Sequence, residues 1–300
     1  MNLARAIACR PARPSDQGDI LELTRTLWEG QDYIPHVWAE WLADPLGLLV
    51  VAEAEGQAVG LGKLTDLGLG EWWLEGLRVE PAWQGHRVAS HIHEYLLEAW
   101  KLRGGGIVRL ATSSQRVQVH HLCARLGFLQ IADLVKFSWF GQGLGPLPSL
   151  RAAGGEVVPE GFAKVQATDL PRAVAWACDL TGFANSAGLL NLGWRWAQAV
   201  PDRLAKWVQA GRLWWKRDQG LVAFHEEDEN GMPFFEVSLL LSEEALRGDM
   251  LRDACRLALS LGARGLTWRA PNQPKELERA QKAGFQRTGD ESLFLFEARV

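Results

Sequence analysis

Short runs in which apolar and polar residues alternate are separated along the chain by stretches with apolar residues three and four apart. The first half therefore predicts a strand over 5–10, helices over 17–28 and 34–43, and strands over 47–54, 58–65 and 71–79. A helix over 86–101, a strand over 107–112, a helix over 116–125 and a closing pair of strands follow. The second half predicts strands over 162–167, 212–224 and 234–241 and near 266–268, with helices over 170–180, 245–261 and 273–282. Both halves end a helix in Gly-Phe, as CARLGFLQ at 123–130 and AQKAGFQR at 280–287, which indicates an internal repeat of about 160 residues.

The stretch 141–161, GQGLGPLPSLRAAGGEVVPEG, is rich in Gly and Pro and carries neither period, so it reads as a linker between domains at 1–140 and 162–300. Two domains also suit 300 residues. The expected fold class is α/β, each domain having a mixed sheet.

Charge and composition mainly exclude. A formal charge of −4 with 23% charged residues gives no basic footprint for nucleic acid. The four cysteines lie far apart with no CxxC pair, so neither a zinc site nor a disulfide framework is expected. Without a signal-like h-region or a run of about 18 apolar residues, a cytoplasmic protein with no membrane partner is expected. The sequence is compatible with a homodimer.

Chemistry concentrates at EPAWQGHRVAS, residues 80–90, which joins the strand over 71–79 to the following helix. The first N–H groups of a helix have no internal acceptors and sit at the positive end of its dipole, so such a turn suits phosphate oxygens. Gly85 permits close backbone approach. The run Gln84, Gly85, His86, Arg87, Val88, Ala89 resembles the cofactor loop of the GNAT superfamily of acyl-CoA-dependent N-acyltransferases, Gln/Arg-x-x-Gly-x-Gly/Ala, with Arg87 standing where that family usually keeps Gly. The lead-in LRVEPAWQG, the order of elements and Leu126-Gly127-Phe128 extend the resemblance over nearly the whole first half. The segment QDYIPHVWAEWLADP resembles the vertebrate histidine N-acetyltransferase branch.

The resemblance implies two tandem GNAT-like domains, with acetyl-CoA as co-substrate, no metal, and a small-molecule amine, possibly an amino acid, as acceptor. It places the pantetheine along Leu77, Arg78 and Val79 and the pyrophosphate on the backbone from Gly85 to Ala89, with Arg116 as a further cofactor contact. Arg87 needs only a helix-compatible backbone in this reading, leaving its guanidinium to meet a phosphate. Acetyl transfer requires a neutral amine and hence a base or water relay. Period two puts Glu71, Trp73, Glu75, Leu77 and Val79 on one strand face, with Glu75 the first candidate base and Glu71 the second. Cys123 occupies the place of the family's usual Tyr acid, with His120 and His121 one turn earlier as alternatives. Between the first two helices, Asp32 and Tyr33 are candidate acceptor contacts.

In the second half, LRGDMLRD aligned on WQGHRVAS sets Asp249 where His86 lies and Arg252 where Ala89 lies, and Ala280 takes the place of Cys123. An acid in a phosphate-facing turn repels a polyanion, so this domain is expected to be degenerate, a wall or acceptor-recognition element. Transfer by direct attack in a ternary complex is expected; the alternative is a non-catalytic acyl-CoA-binding or sensing protein.

Overall fold

A computed structural model describes residues 7–25, 27–141, 161–178, 188–217, 219–229 and 232–300. Most of the expected linker, 142–160, lies outside the described residues, as do 5–6 of the first expected strand and 179–180 of the helix over 170–180. The chain divides into two compact units, one of Met1–Ala111, Arg116–Leu129 and Phe296–Val300, the other of Thr112–Gln115 and Gln130–Leu295. Phe296–Val300 thus belong to the first unit, and Thr112–Gln115 to the second.

The first unit contains β1 (Ala8–Pro11), α1 (Gln17–Thr24), α2 (Ile34–Ala43), β2 (Leu48–Ala54), β3 (Gln57–Gly68), β4 (Glu71–Val79), α3 (Val88–Leu102), β5 (Ile107–Ser113) and α4 (Val117–Arg125). Helix α2 has Pro35 in its first turn and turns Ile34, Trp38 and Trp41 inward at helical spacing, and these pack with Ile20 of α1 and Leu61 of β3. Helix α3 buries Val88, Ile92, Leu96 and Trp100, one residue per turn. The expected pair of closing strands is a single long strand, β6 (Leu129–Phe140). A period-two pattern does not mark whether a turn interrupts a long run, and none does here.

Strands β1 to β4 pair antiparallel in order, and β4 pairs parallel with β5. The place beyond β5 is taken by β14 (Gln286–Arg299), whose end from Phe296 belongs to this unit.

The second unit repeats the order, with β7 (Phe162–Lys164), α5 (Leu170–Cys178), the hairpin β8 (Leu189–Asn191) and β9 (Trp196–Gln198), α6 (Pro201–Gln209), β10 (Leu213–Lys216), β11 (Gly220–Glu229), β12 (Met232–Ser242), α7 (Arg247–Ser260), β13 (Gly265–Pro271) and α8 (Pro274–Lys282). Its strands run β7-β10-β11-β12-β13, and the place beyond β13 is filled by β6. Each unit thus takes its sixth strand from the other half of the sequence. The β8–β9 hairpin, with strands of three residues each, and α6 are not among the elements predicted from the sequence pattern.

Candidate functional site

Two features of β4 shape the site. The first is the parting of β4 from β5: the parallel register joins Glu71 to Ile107, Trp72 to Val108 and Trp73 to Arg109, and β4 runs on for six residues. No further register position of this pair occurs among the described residues. The second is a bulge. Glu75 pairs with Lys63 but Arg78 with Leu61, so β4 carries one residue more than β3 between these positions. Gly76 sits in the bulge at φ +71°, and a Cβ there would meet the Trp41 ring at 2.5 Å, so both backbone and packing require glycine.

The bulge corrects the expected faces. Period two holds through Glu71, Trp73 and Glu75, but the extra residue brings Arg78, rather than Leu77 and Val79, onto the face of Glu75. Arg78 donates there to both oxygens of Asp32, at 2.8 and 3.2 Å, and its guanidinium lies 5.4 Å from the centre of the Tyr33 ring. Asp32 also accepts the N–H of Ile34 at 3.0 Å and is buried, so it holds the start of α2 and fixes Arg78.

Tyr33 is 40% exposed and stands edge-on to Trp41. Burial, first, and the charges of Glu75 and Asp32 push its hydroxyl above the usual phenol range, against the pull of Arg78. Glu75, half-buried, accepts from the Thr65 hydroxyl at 2.5 Å. The face of β4 beside α2 therefore gathers Tyr33, Glu75 and Arg78, with Thr65 behind.

Glu71 is placed differently. It is buried against Arg109, which also donates through Nε to Glu297 at 2.7 Å. A carboxylate committed to a buried guanidinium is a poor base, and Glu71 fills a structural role. Arg109 and Glu297 were not singled out by sequence reasoning; a charged residue inside the apolar strand IVRLAT was the available signal. Lys63, buried on β3 and paired with Asp44 at 2.5 Å, was missed in the same way.

At the end of β4 the chain makes a 3₁₀ turn over Pro81–Trp83, and Gln84, Gly85, His86 and Arg87 follow, all exposed. Helix α3 begins at Val88, two residues later than expected, with Arg87 as its N-cap residue and no side-chain cap. Its leading N–H groups are thereby available to an anion. The expectation of a right-handed backbone at Arg87 is overturned: it lies at φ +65°, ψ 12°, in the left-handed region. That conformation explains the family preference for Gly at this position and costs an L-residue about 1–2 kcal/mol. Gly85, at φ +81°, has open space where a Cβ would stand. Gln84 turns its amide onto the Val79 carbonyl at 3.4 Å, and the Leu77 carbonyl accepts from Arg78 at 3.0 Å. Val88 is buried, Ala89 half-buried, and Arg116, exposed, forms the N-cap residue of α4.

The expected acid does not suit its surroundings. Cys123 is 0% exposed, and burial pushes its thiol to about 12. Moving its proton to an ordinary thiolate, with pKa of about 8.5, is uphill by about 5 kcal/mol. His120 packs on the Phe296 ring at 5.7 Å and His121 is exposed.

In the second unit, His225, Glu227 and Glu236 gather at metal-ligand spacing. His225 Nε2 lies 3.0 Å from Glu236 and 3.5 Å from Glu227. Hydrogen bonds and charge from the two carboxylates overcome desolvation and raise its pKa to about 9. In this arrangement the imidazole stands as an ion-pair partner of the two carboxylates.

The uncapped start of α3 at the end of β4 leaves backbone N–H groups that suit an anion. The family model of the acetyltransferase (GNAT) family matches residues 18–128, and the first unit is a GNAT acetyltransferase domain. Among curated proteins, the chain is 30% identical over 146 residues to a probable N-acetyltransferase 16 of Homo sapiens, covering 45% of this chain and 38% of that protein. It is 30% identical over 93 residues to a histidine N-acetyltransferase of Oreochromis niloticus, covering 31% of this chain and 28% of that protein. The matches thus span well under half of either relative. Among solved structures, a GCN5-related N-acetyltransferase from Sphaerobacter thermophilus shares the fold with TM-score 0.62 and 14% identity, over 98% of this chain and 95% of that one. A tandem GNAT protein from the clavulanic acid biosynthesis pathway does so with TM-score 0.56 and 13% identity, over 98% of both chains. The mixed α/β fold of the chain is that of a two-domain GNAT protein.

Proposed function

We propose that the protein transfers an acetyl group from acetyl-CoA to the amine of a small molecule, at one site in the first unit, by direct attack in a ternary complex. The observation that supports this most is the parting of β4 from β5 beyond Trp73 with the uncapped start of α3 at the end of the same strand. Bound acetyl-CoA supplies the acetyl group as a thioester. The exposed turn at Gln84–Arg87 and the first N–H groups of α3 hold its phosphates. The backbone of β4 past Trp73 runs beside its pantetheine.

Glu75 takes the proton from the acceptor amine, directly or through water, and the Thr65 hydroxyl holds its carboxylate in place. Tyr33, exposed beside it, contacts the acceptor, while the Arg78–Asp32 pair fixes the bulge. Neither Cys123 nor Glu71 takes part. A free amino acid is the acceptor class we favour, with histidine first because one relative bears that activity in its name. The second unit carries Asp249 and Arg252 at the start of α7, an acid and a bulky side chain where α3 presents exposed backbone. It therefore binds no acetyl-CoA.

Calorimetric titration of acetyl-CoA, followed by thiol release on a panel of amines beginning with histidine, tests the reading. One molecule bound per chain and turnover with at least one amine are expected. Tight binding without turnover on any amine would establish the sensor instead, and two molecules per chain would overturn the single-site assignment.

A further inference from the structure

The Thr65–Glu75 contact has a counterpart in the second unit. Strands β12 and β13 pair in parallel at Phe234–Gly265, Phe235–Leu266 and Glu236–Thr267, so Glu236 closes that ladder as Trp73 closes the one between β4 and β5. Thr65 lies opposite Trp73 and bonds Glu75, two residues on. His225 of β11 lies opposite Glu236, and its Nδ1 stands 2.9 Å from the hydroxyl of Ser238, again two residues on. The cross-strand contact recurs, with an imidazole in place of the Thr65 hydroxyl and a hydroxyl in place of the Glu75 carboxylate.

Glu227 follows His225 by two residues on β11, which puts it on the same face, and Glu236 stands directly opposite. Three side chains thus converge from two adjacent strands. His225 Nε2 lies 3.0 Å from Oε2 of Glu236 and 3.5 Å from Oε1 of Glu227, and the ligand atoms of the group all fall within 4.8 Å of one another. Ligands held about 2.1 Å from a tetrahedral ion stand about 3.4 Å apart, so the two separations need to change by only a few tenths of an ångström. The contact of Nδ1 with Ser238 fixes the ring and leaves Nε2 as the coordinating atom.

Glu236 is 0% exposed, and neither of its carboxylate oxygens has a directed hydrogen bond among the described residues. Nor has His225 Nε2, whose contact with Glu236 is within hydrogen-bond range but lacks its direction. These atoms are arranged around a point rather than along a bond. Arg269 stands 3.0 Å from Oε1 of Glu236, which leaves Oε2 turned to the imidazole, and Lys136 adds positive charge near Glu227. The two cations lower the affinity that the group can reach, yet they remove no ligand atom. The Glu227 side chain, 24% exposed, keeps a path to solvent.

We propose that His225, Glu227 and Glu236 form a binding site for one divalent transition-metal ion of the zinc class, with Nε2 and one oxygen of each carboxylate as ligands and water in the fourth position. One imidazole and two carboxylates suit Zn²⁺ better than Ca²⁺, which takes about six to eight oxygens. Binding needs the neutral imidazole, so the ion takes the place of the ring proton in the ion pair, and that proton leaves to solvent.

The full chain, stripped with a chelator and dialysed, is titrated by calorimetry with zinc chloride and, in parallel, with calcium chloride. One Zn²⁺ bound per chain is expected, with Ca²⁺ weaker by about tenfold or more. Glu227→Gln changes the most exposed of the three ligands and should weaken Zn²⁺ binding by about tenfold or more. Should that variant fail to fold, as judged by circular dichroism, His225→Gln removes the nitrogen ligand and carries the same expectation. Absence of saturable Zn²⁺ binding, equal affinity for Ca²⁺, or full Zn²⁺ affinity in the folded variant overturns the proposal.

Discussion

Glu297 accepts a hydrogen bond at 2.7 Å from Nε of Arg109, a residue 188 positions earlier in the chain, and both are buried within the first unit. The same guanidinium holds Glu71, so β4 rests, through Arg109, on a charge from a strand far along the chain. Removing one partner from such a group leaves a buried charge undercompensated. Glu297→Ala should therefore lower stability by about 3 kcal/mol in urea denaturation. A loss below a few tenths would show that Glu71 alone suffices.

Arg87 offers a case in which binding and stability should move in opposite directions. Its left-handed backbone favours Gly, so Arg87→Gly should stabilise the fold by about 1 kcal/mol after the larger unfolded-state entropy of Gly is deducted. Acetyl-CoA binding should weaken, because a cation beside the phosphates is lost. Denaturation and calorimetry on one preparation separate the effects, and tighter binding would identify Arg87 as an obstruction.

Glu75→Gln keeps the Thr65 contact and removes the base. Turnover with the preferred amine should fall about a hundredfold or more, with acetyl-CoA affinity unchanged. The deficit should narrow at higher pH, where more of the amine is neutral without help. Steady-state rates between pH 6 and 10 decide it, and an unchanged rate at neutral pH removes Glu75 from the mechanism.

His93, buried on α3 with its Nδ1 unpaired, is pushed down to about 4 by desolvation. Below its ordinary value of about 6.5 the unfolded chain binds a proton that the folded domain refuses. Stability is therefore unaffected by this group above pH 6.5 and falls progressively as pH drops toward 4, by about 3 kcal/mol in all. His225, with its pKa raised to about 9, acts in the other window: its stabilisation is complete below 6.5 and lost as pH rises through 9. Denaturant melts from pH 4 to 7 should show the acid-side slope, and His93→Leu should flatten it.

Local patterning carried much of the fold. Ile34–Ala43 and Glu71–Val79 are legible from periodicity with the bounds the structure has, because each pattern is complete within about a dozen residues. The repeat was legible from the paired Gly-Phe helix ends. These features depend on residues within a dozen positions of one another, and so are written locally. What tertiary structure decided depends on partners far apart in the chain. The bulge at Gly76 changes which residues share a face, and it follows from pairing with β3 and from the Trp41 ring pressed against it. Asp32 is paired with Arg78, Cys123 is completely buried, and Arg87 takes a left-handed backbone as the N-cap residue of α3. The sixth strand of each unit comes from the other half of the sequence, since an edge accepts any strand with the right register and period two does not name its partner.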